Sequence, residues 1–247
     1  MKYIKIVLLI ACVLGISEIT KGQSIKGSKH DFSNATNAAW NTAANLGSVS
    51  GTKTTAGNTN IAGQVCAPCH APHNALLDGN NNPITPLWQH KLSSVTTYTP
   101  YSGYSMKATF NQANGQPDGN SKLCLSCHDG TVALQNYVSA MGGTGSPSSP
   151  TYMNATTDGA MYFGTNLSND HPVSFIYNSA LVTLDPGLRA ITSPSGITSS
   201  GTIATDMLDG NSEVQCTSCH DPHNSSNGNF LIKSNSGSNL CVTCHAK

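Results

Sequence analysis

Cysteine occurs nine times in this chain of 247 residues, and eight of the nine fall into one pattern. Cys66, Cys69 and His70 read C-x-x-C-H, as do Cys124, Cys127 and His128; Cys216, Cys219 and His220; and Cys241, Cys244 and His245. Two thiols at this spacing can fix the edge of a planar macrocycle through thioethers. A histidine directly behind them can ligate the metal at its centre. This is the attachment pattern of a c-type haem, with the histidine as one axial ligand. C-x-x-C is also zinc and redox-disulfide spacing. Zinc would need two such pairs per site, and it has no use for a histidine after every second cysteine. The four repeats point to four covalently attached haem c groups.

Five histidines lie outside the motifs: His30, His73, His90, His171 and His223. Four irons closed on both faces need four of them. Histidine on both faces gives a low-spin iron suited to moving one electron, with its potential set by ligand identity, burial and hydrogen bonding. His73 and His223 each stand three residues behind a motif histidine, in C-H-x-P-H-N. Three extended residues reach only about 10 Å, too little to round a macrocycle, and Pro72 and Pro222 restrict the chain further. Each should therefore ligate a neighbouring haem, which sets haems side by side. His30 and His171 complete the distal set. His90 either is a surface or hydrogen-bonded histidine, or it is a ligand that displaces His30. Met106, Met141, Met153, Met161 and Met207 are alternative ligands, though packing explains each of them as well. Asp129 and Gly130 suit a turn after His128. Asp221 either orients the backbone beside His220 or is solvated.

The elements holding these residues read as a duplicated unit. A lone histidine, a C-x-x-C-H-x-P-H-N block and a plainer C-x-x-C-H block occur in residues 24–145, which include an N-terminal arm, and again in 146–247. The interval from Cys66 to Cys124 is much longer than that from Cys216 to Cys241. Asp31 to Asn45 and Thr131 to Met141 are predicted helices. Ala180 to Leu184 and Asn229 to Lys233 are strand-like runs. Gly142 to Pro150 and Ile191 to Gly201 are loops rich in turn residues. The expected fold is a multihaem cytochrome c, mostly coil with a few short helices and minimal strand, organised around a haem stack.

Residues 1–23 read as a signal peptide, with a basic start, an apolar stretch from Ile6 to Ile16 and a polar end near Gly22 or Gln23. That stretch is too short to span a bilayer. Leu9 to Cys12 resembles a lipoprotein box, but the apolar run continues past Cys12. Export places the protein at the cell surface, outside the cell or in the periplasm. Twelve basic and twelve acidic residues balance, so the basic excess of a nucleic-acid surface is missing. Propionates would make the loaded protein acidic. Aromatic residues make up only 6% of the chain, thin material for a core. Haem should supply the missing apolar surface, and the apo chain should fold poorly.

The residues around the motifs resemble the doubled-CXXCH multihaem cytochrome family. The likeness rests on Cys66 to Asn74, Leu87-Trp88-Gln89-His90, Leu123 to Ala133, Asp170-His171-Pro172-Val173, Cys216 to Asn224 and Lys29 to Ser33. It implies electron transfer outside the cytoplasmic membrane, to redox proteins or extracellular acceptors. Some tetrahaem relatives are surface cytochromes that polymerise into filaments, with one distal histidine supplied by the next subunit. By that resemblance His30 is the candidate intermolecular ligand. Other relatives are soluble or membrane-associated carriers. A multihaem reductase would need an open iron with acid or base groups beside it. Here the histidines suffice to close every iron, and no motif has lysine in place of its histidine, so no enzymatic role is expected.

Overall fold

A computed structural model describes residues 25–31, 65–66, 68–71, 75–77, 84, 87–110, 115–134, 136 and 150–246. Turns, bends and unpaired backbone dominate. The helices are α1 (Gly119–His128), α2 (Ala155–Asp158), α3 (Ser179–Leu184), α4 (Ile203–Asp206) and α5 (Cys241–Cys244). Single 3-10 turns span Gly159–Met161, Cys216–Ser218 and Ser236–Ser238. Two short strands, β1 (Phe175–Ile176) and β2 (Glu213–Val214), pair antiparallel, with Phe175 opposite Val214 and Ile176 opposite Glu213. Phe110 bridges to Phe175, so chain from before α1 lies along this pair. Among the described residues no helix is long and apolar enough to cross a membrane. The coil-rich architecture matches the sequence reading.

Particular elements differ from that reading. The predicted helix over Thr131 to Met141 is bend, turn and coil where described, at residues 131–134 and 136, and the helix lies before it, on the motif itself. Gly130 adopts φ +70°, and a Cβ there would stand 2.4 Å from the Met153 carbonyl oxygen, so only glycine fits this exit. The buried Asp129 carboxylate then accepts from the Thr131 N–H and hydroxyl, both at 2.8 Å, and from the Tyr98 hydroxyl at 2.6 Å. Leu134 N–H donates to the Thr151 carbonyl, so the helix cannot resume. The strand-like run Ala180 to Leu184 belongs to α3. The Asn178 side chain accepts from Leu181 N–H at 3.0 Å and starts the helix, while Leu181 is buried in the core. Asn229 to Lys233 is a turn in which Leu231 alone makes a bridge. Residues 191–201 form the expected loop. Beyond Asp31 the first predicted helix lies outside the described residues, as do 1–24 and 142–149.

The main apolar cluster gathers Phe175, Tyr177, Leu181, Ile203, Met207, Val214 and Leu240. Two smaller clusters flank the second motif, one of Leu134 with Met153 and one of Tyr98, Leu125 and Leu167. Met153 and Met207 are thus packing residues, and Met106 and Met161 lie against the same clusters. Met141 lies outside the described residues.

Candidate haem-binding site

Every motif forms helical turn. His70 N–H donates to the Cys66 carbonyl at 2.9 Å, His220 to Cys216 at 3.0 Å and His245 to Cys241 at 3.0 Å. The second motif occupies the C-terminal end of α1. Residues three apart on a helical turn are neighbours, so both cysteines of a motif share one face. None of the eight sits in a disulfide, as thioether attachment requires.

Three motif histidines then leave their turn by the same antiparallel bridge. His70 pairs with Trp88, His220 with Leu231 and His245 with Leu188. The second cysteine's carbonyl accepts from the partner strand: Cys69 from Gln89 at 3.0 Å, Cys219 from Ile232 at 3.0 Å, Cys244 from Arg189 at 2.8 Å. The residue after the histidine donates back: Ala71 to Leu87, Asp221 to Phe230, Ala246 to Gly187. In the second motif Phe163 N–H donates to the His128 carbonyl at 2.9 Å.

Hydrogen bonds orient several imidazoles. His128 Nδ1 lies 2.7 Å from the Met161 carbonyl oxygen, His220 Nδ1 2.9 Å from that of Asn229, and His171 Nδ1 2.9 Å from that of Pro172. A carbonyl can only accept, so each Nδ1 carries the proton and Nε2 keeps its lone pair for a metal. Asp221 serves His223 rather than His220. Its Oδ1 accepts from His223 N–H at 2.9 Å and lies 3.3 Å from His223 Nδ1. Burial, followed by the nearby His128, pushes His30 down to about 4. Burial also lowers His128. The neutral form that binds metal is therefore the one these rings adopt near neutrality.

The imidazoles come together in pairs. Ring centres lie 6.1 Å apart for His70 and His223, 6.3 Å for His30 and His128, and 6.4 Å for His171 and His245. Two imidazoles bound to opposite sides of one metal at about 2 Å each would have ring centres roughly 6 Å apart. The residues present therefore fit an iron porphyrin with histidine on both faces. His73 lies outside the described residues, and His220 is the motif histidine without a described imidazole at this spacing. His30 meets His128 of its own chain. It also stacks on Phe230 at 4.2 Å, with the rings tilted by 14°.

His90 is different. It is 2% exposed, its Nδ1 lies 3.2 Å from Ser126 Oγ, and its Nε2 lies 3.2 Å from the Ala133 carbonyl oxygen. Both nitrogens face protein, and the ring sits within 3.7 Å of Cys127 Sγ. Burial pushes it down to about 4, so it is held neutral.

The motifs are also packed against one another. Asn120 Nδ2 donates to Thr217 Oγ1 at 3.1 Å, and Cys216 N–H donates to Ser121 Oγ at 3.0 Å. Burial, then Cys66, pushes the Cys69 thiol up to about 12.

Phe230 and the backbone carbonyls of Met161 and Asn229 were not singled out by sequence. Nothing in the sequence marks which carbonyl accepts from a ring, and Phe230 lies outside any motif. Residues 210–247 match the family model of the doubled CXXCH motif. No curated protein matches the chain. The doubled motif indicates covalently attached haem c, the chemistry of electron transfer.

Proposed function

We propose that this chain is a tetrahaem c-type cytochrome that carries electrons outside the cytoplasmic membrane, with every iron closed by two histidines. Each motif would hold one haem through its two cysteines, and haem supplies reversible one-electron chemistry when bound. The pairing of imidazoles supports the ligand assignment: His223 with His70, His30 with His128, and His171 with His245. His73 completes the set opposite His220, by exchange with His223. Each C-H-x-P-H-N block would then attach one haem and ligate the other's. His90 is the spare histidine, because both of its nitrogens are engaged by protein.

The observation that carries this reading is the set of three histidine pairs at one spacing, drawn from distant parts of the chain. Closed irons favour electron transfer over substrate chemistry, since a reductase needs a vacant position. Pyridine haemochrome analysis of protein made in a maturation-competent host should count four haems. The oxidised protein should be wholly low-spin, and the reduced native protein should not bind carbon monoxide. Carbon monoxide binding without mutation would refute closed ligation and favour a reductase.

Surface location and assembly into filaments form the second part of the proposal, resting on the apolar leader and the family resemblance. With His30 placed beside His128 of its own chain, a polymer would be joined by surfaces other than an exchanged His30. Electron microscopy of native secreted material distinguishes a filament from a single carrier.

A further inference from the structure

Two segments of identical sequence, Asp118-Gly119-Asn120-Ser121 and Asp209-Gly210-Asn211-Ser212, precede the second and third motifs. They meet at the side chain of Gln215, the residue before Cys216. Gln215 Nε2 donates to Asp118 Oδ1 at 3.1 Å, to Asp209 Oδ2 at 3.3 Å and to Glu213 Oε2 at 3.0 Å. Gln215 Oε1 accepts from Ser121 N–H at 3.2 Å, from the Ser174 hydroxyl at 3.2 Å and from the Ser121 hydroxyl. These donors fix the amide with its NH2 toward the acids. Three carboxylates thus surround an amide with only two hydrogens to give.

Glu213 is the buried member, with 0% exposure. Its Oε1 is fully buried and has no hydrogen-bond partner among the described residues. A buried carboxylate oxygen without a partner is costly. Asp118 Oδ1 and Glu213 Oε2 both accept from Gln215 Nε2, so the two carboxylates share one donor. A proton on Glu213 would lower the cost of burying that carboxyl and remove one of three like charges. A metal ion is the weaker solution, because the amide NH2 already points into the cluster. Asp118, from the start of α1, and Asp209, from the turn before β2, are the charged groups acting on Glu213, and no basic side chain among the described residues offsets them.

The cluster is tied to two haem attachment segments. Ser121, three residues before Cys124, bonds both Gln215 and the Cys216 N–H. We propose that Glu213 is a redox-linked proton site, holding a proton while the haems of the second and third motifs are reduced and releasing it to solvent, past the half-buried Asp209, when they are oxidised. This rests on the haem reading above. Oxidation sends one electron to the redox partner and leaves one more positive charge nearby. The Glu213 O–H bond breaks, and its proton passes to water. Reduction returns both. Burial first, then the charges of Asp118 and Asp209, push this carboxyl up to about 7, so the exchange falls in the neutral range.

Infrared difference spectroscopy during a redox titration, with potentials recorded across pH, tests this in the haem-loaded protein. The native protein should show a protonated-carboxyl C=O band that weakens on oxidation, and a midpoint potential that falls as pH rises through neutrality. Glu213→Gln should lose the band and flatten the slope. Asp118→Asn removes a like charge and should move the slope to lower pH. An unchanged slope and band in Glu213→Gln would overturn the proposal, as would a divalent cation found by elemental analysis and lost in that variant. Pyridine haemochrome analysis of the same samples reads haem attachment separately, so a missing haem is distinguished from a missing proton.

Discussion

Residues before and after about position 150 carry two C-x-x-C-H motifs each, yet they bury them differently. The third and fourth motifs sit against a side-chain core centred on Tyr177, Ile203 and Met207. Around the second motif the described clusters are small, and they borrow Met153 and Leu167 from the later half. The earlier half also borrows an imidazole, since His223 lies beside His70. His171, by contrast, meets His245 within its own half. A motif can therefore be supported by side chains of its own half or by those of its neighbour. The later half has the first kind of support, and the earlier half leans on the second.

Withholding haem should break this comparison most severely. In a host without cytochrome maturation, hydrogen exchange is expected to show loss of protection across 87–134, with residual protection around β1, α3 and α4. Equal loss in both regions would mean the side-chain core adds nothing. Next in size is ligand removal. His223→Ala should open the iron at the first motif, although the change lies in the later half, whereas His171→Ala should open one served by its own half. One carbon monoxide-binding haem per variant, at His70 and His245 respectively, is the expected resonance Raman or absorbance result, and an unreactive His223→Ala protein would discard the crossing ligand. Ile203→Ala removes a fully buried core side chain and should cost about 2–5 kcal/mol in thermal or chemical unfolding of the loaded protein. Leu134→Ala, in a cluster of only two buried residues, should cost less. A ranking in the opposite order would contradict the assignment of the main core.

Smaller effects sharpen the picture. The imidazole planes differ by 26° in the His70–His223 pair, against 66° and 76° in the other two. Near-perpendicular planes leave the iron's two π-type d orbitals close in energy. Electron paramagnetic resonance should therefore resolve a more anisotropic low-spin class beside an ordinary one. A single class would contradict the differing planes. Least of all, His90→Gln should leave haem count and spin state unchanged, and a newly carbon monoxide-reactive haem would restore His90 as a ligand.

Much of the site was legible because covalent attachment is local. Cys66, Cys69 and His70 must be near in sequence to share one turn, and the other three motifs repeat that logic. The short reach behind Pro222 led to the expectation that His223 serves a different motif from its own, and the structure sets it beside His70. For Asp221 the sequence left open a backbone role beside His220 or a solvated acid, and the structure turns its carboxylate to His223, which adjacency alone does not specify. The helix over residues 179–184 was missed because Asn178 was not weighed as a cap, although the sequence contained it. The helix expected after His128 failed because Gly130 and Asp129 act together with Met153 and Tyr98, which are distant in sequence.

Residue order alone settled the cofactor chemistry and the coil-rich architecture, since thioether spacing is a matter of one helical turn and sparse aromatic content limits any side-chain core. Partnership was settled only by the fold. His30 beside His128, His171 beside His245 and the acids gathered at Gln215 join segments that no local pattern links. Such contacts depend on how loops of unequal length return through space, and periodicity along the chain carries no record of that.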